Sequence, residues 1–85
     1  MAKVEIYTRD GCGYCSRAKS LLSRKGVAFE EINAGVDAEK RREMVSRANG
    51  GSTFPQIFIN GAHVGGSDDI HALDAAGRLD PLLAA

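Results

Sequence analysis

Apolar and polar residues alternate over Val4–Tyr7, in the segment Val-Glu-Ile-Tyr, and this period of two predicts a short strand. The period then changes. From Tyr14 to Lys25, Ala18, Leu21 and Leu22 share a face while Arg17, Lys19 and Arg24 point away, which predicts a helix that Gly26 stops. Val27–Asn33 reads as a second strand with Val27, Phe29 and Ile32 inward. Ala38–Ala48 reads as a second helix with Met44, Val45 and Ala48 as its apolar stripe, closed by Asn49-Gly50-Gly51. Gln56–Asn60 is a compact apolar strand, Asn60-Gly61 a hairpin turn and Ala62–Gly65 the return strand. Ser67 is placed to cap a third helix, whose dipole suits Asp68 and Asp69 in its first turn. Ile70, Leu73 and Ala76 form the core face of that helix, Gly77 ends it, and the tail from Leu79 reads as one more helical turn.

The order of elements is strand, helix, strand, helix, strand, strand, helix. The first strand–helix–strand unit should be parallel with a right-handed crossover, and the last two strands should form an antiparallel hairpin. The expected class is α/β: a four-stranded mixed sheet flanked on both faces by three or more helices. At 85 residues the chain is expected to form a single domain over residues 1–85.

Charge narrows the function. Eleven Lys and Arg balance eleven Asp and Glu, so no overall basic field draws in nucleic acid. The balance is uneven along the chain: ten of the eleven bases lie in residues 1–47 against seven acids, and residues 48–85 hold only Arg78 against four Asp. Solvated helix faces account for most of this, but it also suits a site that is positive at one end and acidic at the other. The first eight residues contain no long apolar run and no small-residue cleavage site, and no stretch approaches a membrane span. The expected compartment is therefore the cytoplasm, where thiols are kept reduced, and a permanent disulfide is a poor explanation for any cysteine pair.

The chain has two cysteines, Cys12 and Cys15, in the segment Asp-Gly-Cys-Gly-Tyr-Cys at the mouth of the first predicted helix. If that helix begins near Tyr14, its unpaired N–H groups and dipole favour a thiolate at Cys12, and Arg9 adds positive potential. Cys15, one turn in, should be more buried and less acidic. The asymmetry assigns Cys12 as the attacking thiol and Cys15 as the resolving one. A zinc site would need four ligands, and His63 and His71 lie eight apart on different predicted elements. Redox chemistry is the reading the position favours: a CxxC after the first strand of a βαβ unit signals a thioredoxin-like redox motif.

Three segments together resemble the dithiol glutaredoxin family along nearly the whole chain: Tyr7–Cys15, which resembles its active-site loop; Thr53–Ile59, which resembles its Thr-Val-Pro segment with a cis proline; and Gly65–Asp69, which resembles its glutathione clamp. The resemblance implies a thioredoxin-like fold and a glutathione-disulfide oxidoreductase that reduces protein–glutathione mixed disulfides and protein disulfides, with glutathione as cosubstrate. It makes Cys12 the nucleophile and Cys15 the resolving thiol. It has Tyr14 flank the glutathione site, cis Pro55 face the active-site sulfurs, and Phe54 offer its backbone N–H and C=O to the glutathione cysteine. Ser67 and Asp68, after Gly66, would hold the γ-glutamyl end, Thr53 and Asp69 would belong to the same binding site, and Arg9 would meet the glycine carboxylate. The implied partners are glutathione and disulfide-bearing or glutathionylated proteins, with no nucleic acid and no membrane.

The chain departs from the family pattern at three positions. Gly13 replaces the proline of Cys-Pro-Tyr-Cys, and some relatives lacking that proline hold a [2Fe–2S] cluster between two protomers through the nucleophilic cysteine and glutathione. The sequence thus permits Cys12 to be a cluster ligand; otherwise a monomer is expected. Phe54 replaces the usual valine, which alters the surface a protein substrate meets. Ser67 stands where many members carry a third cysteine.

Overall fold

The computed structural model describes residues 2–85. Its elements are β1 (Val4–Thr8), α1 (Gly13–Arg24), β2 (Glu30–Asn33), α2 (Ala38–Arg47), β3 (Gln56–Ile59), β4 (Ala62–Gly65), α3 (Ser67–Ala75) and α4 (Leu79–Ala84). The strands form one mixed sheet in the order β2-β1-β3-β4. β1 pairs in parallel with β2 and antiparallel with β3, and β3 pairs antiparallel with β4.

The two central strands are buried on both faces, and alternation divides them between two cores. Val4, Ile6, Ile57 and Ile59 pack with Ala18, Leu21 and Leu22 of α1, Ile70 of α3, and Leu79 and Leu83 of α4. Tyr7 and Phe58 face the other way and pack with Ala34, Met44 and Ala48. Helices therefore cover both faces of the sheet, the layering expected of an α/β chain. On the α2 side, Arg47 makes two hydrogen bonds to Glu5 (3.2 and 2.9 Å) and one to the Tyr7 hydroxyl (2.8 Å), which donates to Glu43. These bonds tie α2 to β1 and aim its N-terminal turns toward the loop that follows β1.

Some boundaries and faces differ from the sequence reading. The second strand is shorter than Val27–Asn33: pairing with β1 starts at Glu30, and the Val27 N–H bonds to Leu22 O at the end of α1 instead. Val27 and Phe29 still pack on the first core, while Ile32 packs on the second. Gly66, not Ser67, is the N-cap of α3, because Asp69 reaches back from inside the helix to accept from the Gly66 N–H (2.8 Å). Ser67 is consequently the first helical residue and is buried. Ala76 lies past the end of α3 and is exposed. The tail is a full helix that closes the first core with Leu79 and Leu83.

Candidate functional site

Cys12 is the N-cap of α1, in extended backbone (φ −94°, ψ 108°), and its sulfur accepts from the Cys15 N–H at 3.2 Å. A cysteine here takes the place a Ser or Asp cap would fill, with sulfur as the acceptor. Burial alone pushes the Cys12 thiol up. Hydrogen bonds from the Cys15 thiol and N–H, the Arg9 charge and the Tyr14 N–H outweigh it and hold Cys12 below the ordinary cysteine value. For Cys15, burial and its hydrogen bond to the Cys12 sulfur act in the same direction and push it up to about 11. Both thiols are free, with Cys12 9% and Cys15 2% exposed. Cys12 is thus the more acidic and more accessible of the two thiols, and Cys15 stays protonated behind it.

This split predicts the alkylation behaviour. Thiolate fraction rises with pH through the thiol pKa, so the lowered Cys12 value moves its reactivity to lower pH. Iodoacetamide should modify one thiol faster than the other, with a pH midpoint lower than that of an ordinary cysteine. The fast phase should be absent from Cys12→Ser. Arg9→Gln should move the midpoint upward by less than about one unit, since an exposed charge is screened by solvent. Mass-resolved alkylation rates check all three.

The Cys12 sulfur lies 3.8 Å from the Phe54 carbonyl oxygen, across from the loop that enters β3. The Phe54–Pro55 peptide bond is cis. From there a groove of about 310 Å³ runs toward α3. Tyr14, Thr53, Phe54 and Pro55 line one part of it, and Gly66, Ser67, Asp68 and Asp69 the other. Tyr14 is 57% exposed, so its ring is presented to solvent rather than used in the core. Ser67 is buried, so the first-turn N–H groups of α3 and the exposed Asp68 and Asp69 supply the polar character at that end.

Arg9 is not in this groove. It lies in an adjoining cleft of about 610 Å³ with Tyr14, Thr53, Phe54 and Arg41. The Arg9 and Arg41 guanidinium carbons stand 5.9 and 5.7 Å from the Phe54 ring centroid. The two clefts share Tyr14, Thr53 and Phe54, so they form one surface with arginines at one end and a helix N-terminus with acids at the other. That surface is complementary to an elongated peptide with a carboxylate at one end and an ammonium–carboxylate head at the other.

Sequence reasoning missed three residues of this surface. Arg41 resembled any solvated base on α2, and only the fold brings it to Phe54. Gln56 and His63 read as ordinary strand residues. In the structure Gln56 is buried, donates from Nε2 to the Thr53 carbonyl (3.0 Å) and hydroxyl (3.1 Å), and meets His63 Nε2 through Oε1 (2.6 Å). The amide therefore uses both donors on Thr53 and accepts from a His63 Nε2–H. Gln56→Met keeps the volume but leaves the Thr53 carbonyl unpaired beneath Phe54. At about 0.5–1.5 kcal/mol per bond, it should raise KM for a substrate held along this surface about tenfold with kcat little changed. Steady-state kinetics with a disulfide substrate separates the two constants.

The histidines are engaged elsewhere, His63 with Gln56 and His71 donating from Nδ1 to Ser67 O (2.7 Å), so the structure does not bring them to the cysteines. Among the described residues no group of three or more His, Cys, Asp or Glu converges on one point.

A family model described as Glutaredoxin matches residues 4–64. Glutaredoxin 3 of Escherichia coli K12 is 59% identical over 83 residues, covering 98% of this chain and 99% of that protein. The solution structure of glutaredoxin from Brucella melitensis superposes with a TM-score of 0.85 at 58% identity, covering 98% of this chain and 89% of that one. A buckwheat glutaredoxin–glutathione complex superposes with a TM-score of 0.85 at 29% identity, over 98% of this chain and 77% of that one.

Proposed function

This chain belongs to the glutaredoxin family and is a thiol–disulfide oxidoreductase, and we propose that glutathione is its reductant and that glutathionylated and disulfide-bearing proteins are its substrates. The observation that carries this reading is the two-ended surface beside Cys12, with Arg9 and Arg41 at one end and the α3 N-terminus with Asp68 and Asp69 at the other. Glutathione has matching charges in that order, and the cysteine between them falls beside Phe54, whose carbonyl lies 3.8 Å from the Cys12 sulfur. The buckwheat relative was solved with glutathione bound. We assign Tyr14, Thr53, Phe54 and Pro55 to the central cysteine, Gly66, Ser67, Asp68 and Asp69 to the γ-glutamyl end, and Arg9 with Arg41 to the glycine carboxylate.

The Cys12 thiolate attacks the glutathione sulfur of a mixed disulfide. The Cys12–glutathione disulfide forms, and the protein thiolate leaves and takes up a proton. A second glutathione thiolate attacks the bound glutathione sulfur, releasing glutathione disulfide and restoring the Cys12 thiolate, which the α1 N-terminus holds. On a protein disulfide, Cys12 forms the mixed disulfide with the client. Cys15 then loses its proton and attacks the Cys12 sulfur, freeing the client thiol and leaving a Cys12–Cys15 disulfide, which two glutathione molecules reduce with release of glutathione disulfide. The chain acts as a single domain over residues 1–85 in the cytoplasm; no helix among the described residues is long and apolar enough to cross a membrane. The test is turnover of a glutathionylated peptide with reduced glutathione as sole electron source. Absence of turnover by folded protein would remove glutathione from the reading.

Gly13 favours a second reading. Gly13 is the first residue of α1, and a Cβ built there meets nothing within 4 Å, so the space between the two cysteines is open where the family carries proline. One chain offers one thiol of lowered pKa, at a helix N-cap, so it fits a [2Fe–2S] cluster only as half a site, with Cys12 as this chain's ligand and glutathione and a second copy supplying the rest. Bound, such a cluster is a sulfur-ligated electron or cluster carrier. Protein purified anaerobically with glutathione would then be coloured and dimeric, and Cys12→Ser colourless and monomeric.

A further inference from the structure

The surface does not end at Arg41. Arg41 also lines a second groove of about 610 Å³, together with Gly35, Val36, Ala38, Arg42 and Val45. Arg41 is anchored there by its bond to the Gly35 carbonyl (2.8 Å) and stands over the Phe54 ring on its other side. The two grooves therefore join at one residue. Val36 is 94% exposed, so its side chain contributes almost nothing to either core. Of the three exposed large hydrophobic residues among those described, Tyr14, Val36 and Leu82, two border this joined strip. The strip is lined by Arg9, Arg41 and Arg42 and by no acidic side chain.

Under the reading above, glutathione stops at its glycine carboxylate, beside Arg9 and Arg41. The chain of a protein client has no carboxylate at that point and continues, advancing about 3.3 Å per extended residue. The direction past Arg41 leads into the groove of Val36. We propose that this groove binds the residues that follow the reacting cysteine of a protein disulfide client, an extended segment with an apolar side chain for Val36 and Val45 and an acidic one for Arg42. The inference rests on the glutathione reading for its direction and goes beyond it in assigning a protein-specific subsite. The reaction is unchanged: Cys12 bonds to the client sulfur, its partner sulfur leaves as a thiolate and is protonated, and glutathione supplies the electrons.

Two synthetic peptides, each oxidised to its symmetric disulfide, test this: one ending in Cys-Gly and one continuing Cys-Gly-Asp-Leu-Glu. The wild type should show kcat/KM about tenfold higher for the extended peptide, equivalent to about 1.4 kcal/mol, and the preference should shrink as salt rises. Val36→Asp and Arg42→Glu, both at exposed positions, should lower the extended peptide to the level of the short one. Both variants should leave the short peptide and a glutathionylated peptide unchanged. Equal constants for the two peptides in the wild type, or a preference that survives both variants, overturns the subsite and leaves the glutathione reading intact. Concentration-dependent dimerisation that Val36→Asp abolishes would make a second copy of the chain the occupant and would also overturn it. Failure of the wild type on the glutathionylated peptide as well is the separate failure of the underlying reading.

Discussion

Cys12→Ser should lower turnover of every disulfide substrate by at least about 10³-fold, while Cys15→Ser keeps turnover of glutathionylated peptide and loses reduction of protein disulfides. The contrast follows from the positions of the two sulfurs. Cys12 caps α1 and is held below the ordinary cysteine value while Cys15 is pushed above it, so Cys12 is the thiol that attacks first. Serine is a better helix cap than cysteine, so the loss in Cys12→Ser is chemical rather than structural, and its circular dichroism and Tm should match the wild type. Cys15 is 2% exposed and pushed up to about 11, so it attacks only a sulfur already bonded next to it. Serine at this position buries a hydroxyl in place of a thiol and should cost about 1 kcal/mol of stability. Glutathionylated substrates need only Cys12 and a second glutathione. A Cys12→Ser enzyme with substantial turnover, or a Cys15→Ser enzyme that loses both activities while folded, would sink the division of roles.

Gly65→Ala should destabilise the fold and weaken glutathione binding together. Gly65 has φ +124°, a backbone region that residues with a Cβ rarely adopt, and its added Cβ would run into the Asp69 carboxylate. Asp69 is also the group that accepts from the Gly66 N–H and shapes the N-terminus of α3. Relieving the clash therefore displaces the Asp69 carboxylate, breaks its bond to the Gly66 N–H and disturbs the acidic end of the groove. The strain should cost about 3 kcal/mol, a fall in Tm on the order of 10–20 °C for a domain of this size. KM for glutathione should rise about tenfold. Gly61→Ala is the control: it shares a positive φ of +81°, but nothing lies within 4 Å of its Cβ. It should cost only about 1 kcal/mol and leave KM unchanged. Equal effects of the two substitutions would show that the Asp69 contact is irrelevant to the site.

The legibility of the fold varied with how local its causes are. The α1 stripe of Ala18, Leu21 and Leu22 and the Asn60-Gly61 turn are written in adjacent residues, and the structure has them in those roles. The second strand is three residues shorter than its apolar pattern: Val27 and Phe29 are inward, but inwardness comes from packing on the first core as easily as from pairing with a strand. The cap of α3 lies one residue before the serine the pattern favours. A serine before two aspartates is a strong cap signal, yet Asp69 caps the helix from within once Gly65 turns the chain.

The site divides in the same way. The thiol pair, its place at a helix start, and the segments Thr53–Ile59 and Gly65–Asp69 are legible along the chain, because each is a short run whose residue types carry the chemistry. Which charges and amides meet those segments depends on how the elements pack. Arg41 reaches Phe54 because Arg47, bonded to Glu5 and Tyr7, holds α2 against β1. Gln56 reaches Thr53 because its side chain turns back under the loop that leads into β3, and His63 reaches Gln56 because β4 folds back alongside β3. The unequal acidity of Cys12 and Cys15 belongs to both levels: spacing places them one turn apart, and burial, known only once the helix is packed, drives Cys15 up while leaving Cys12 ready to attack. Local pattern specifies periodicity and reactive groups; distances between segments far apart in the chain are set by the packing of the two cores against the sheet.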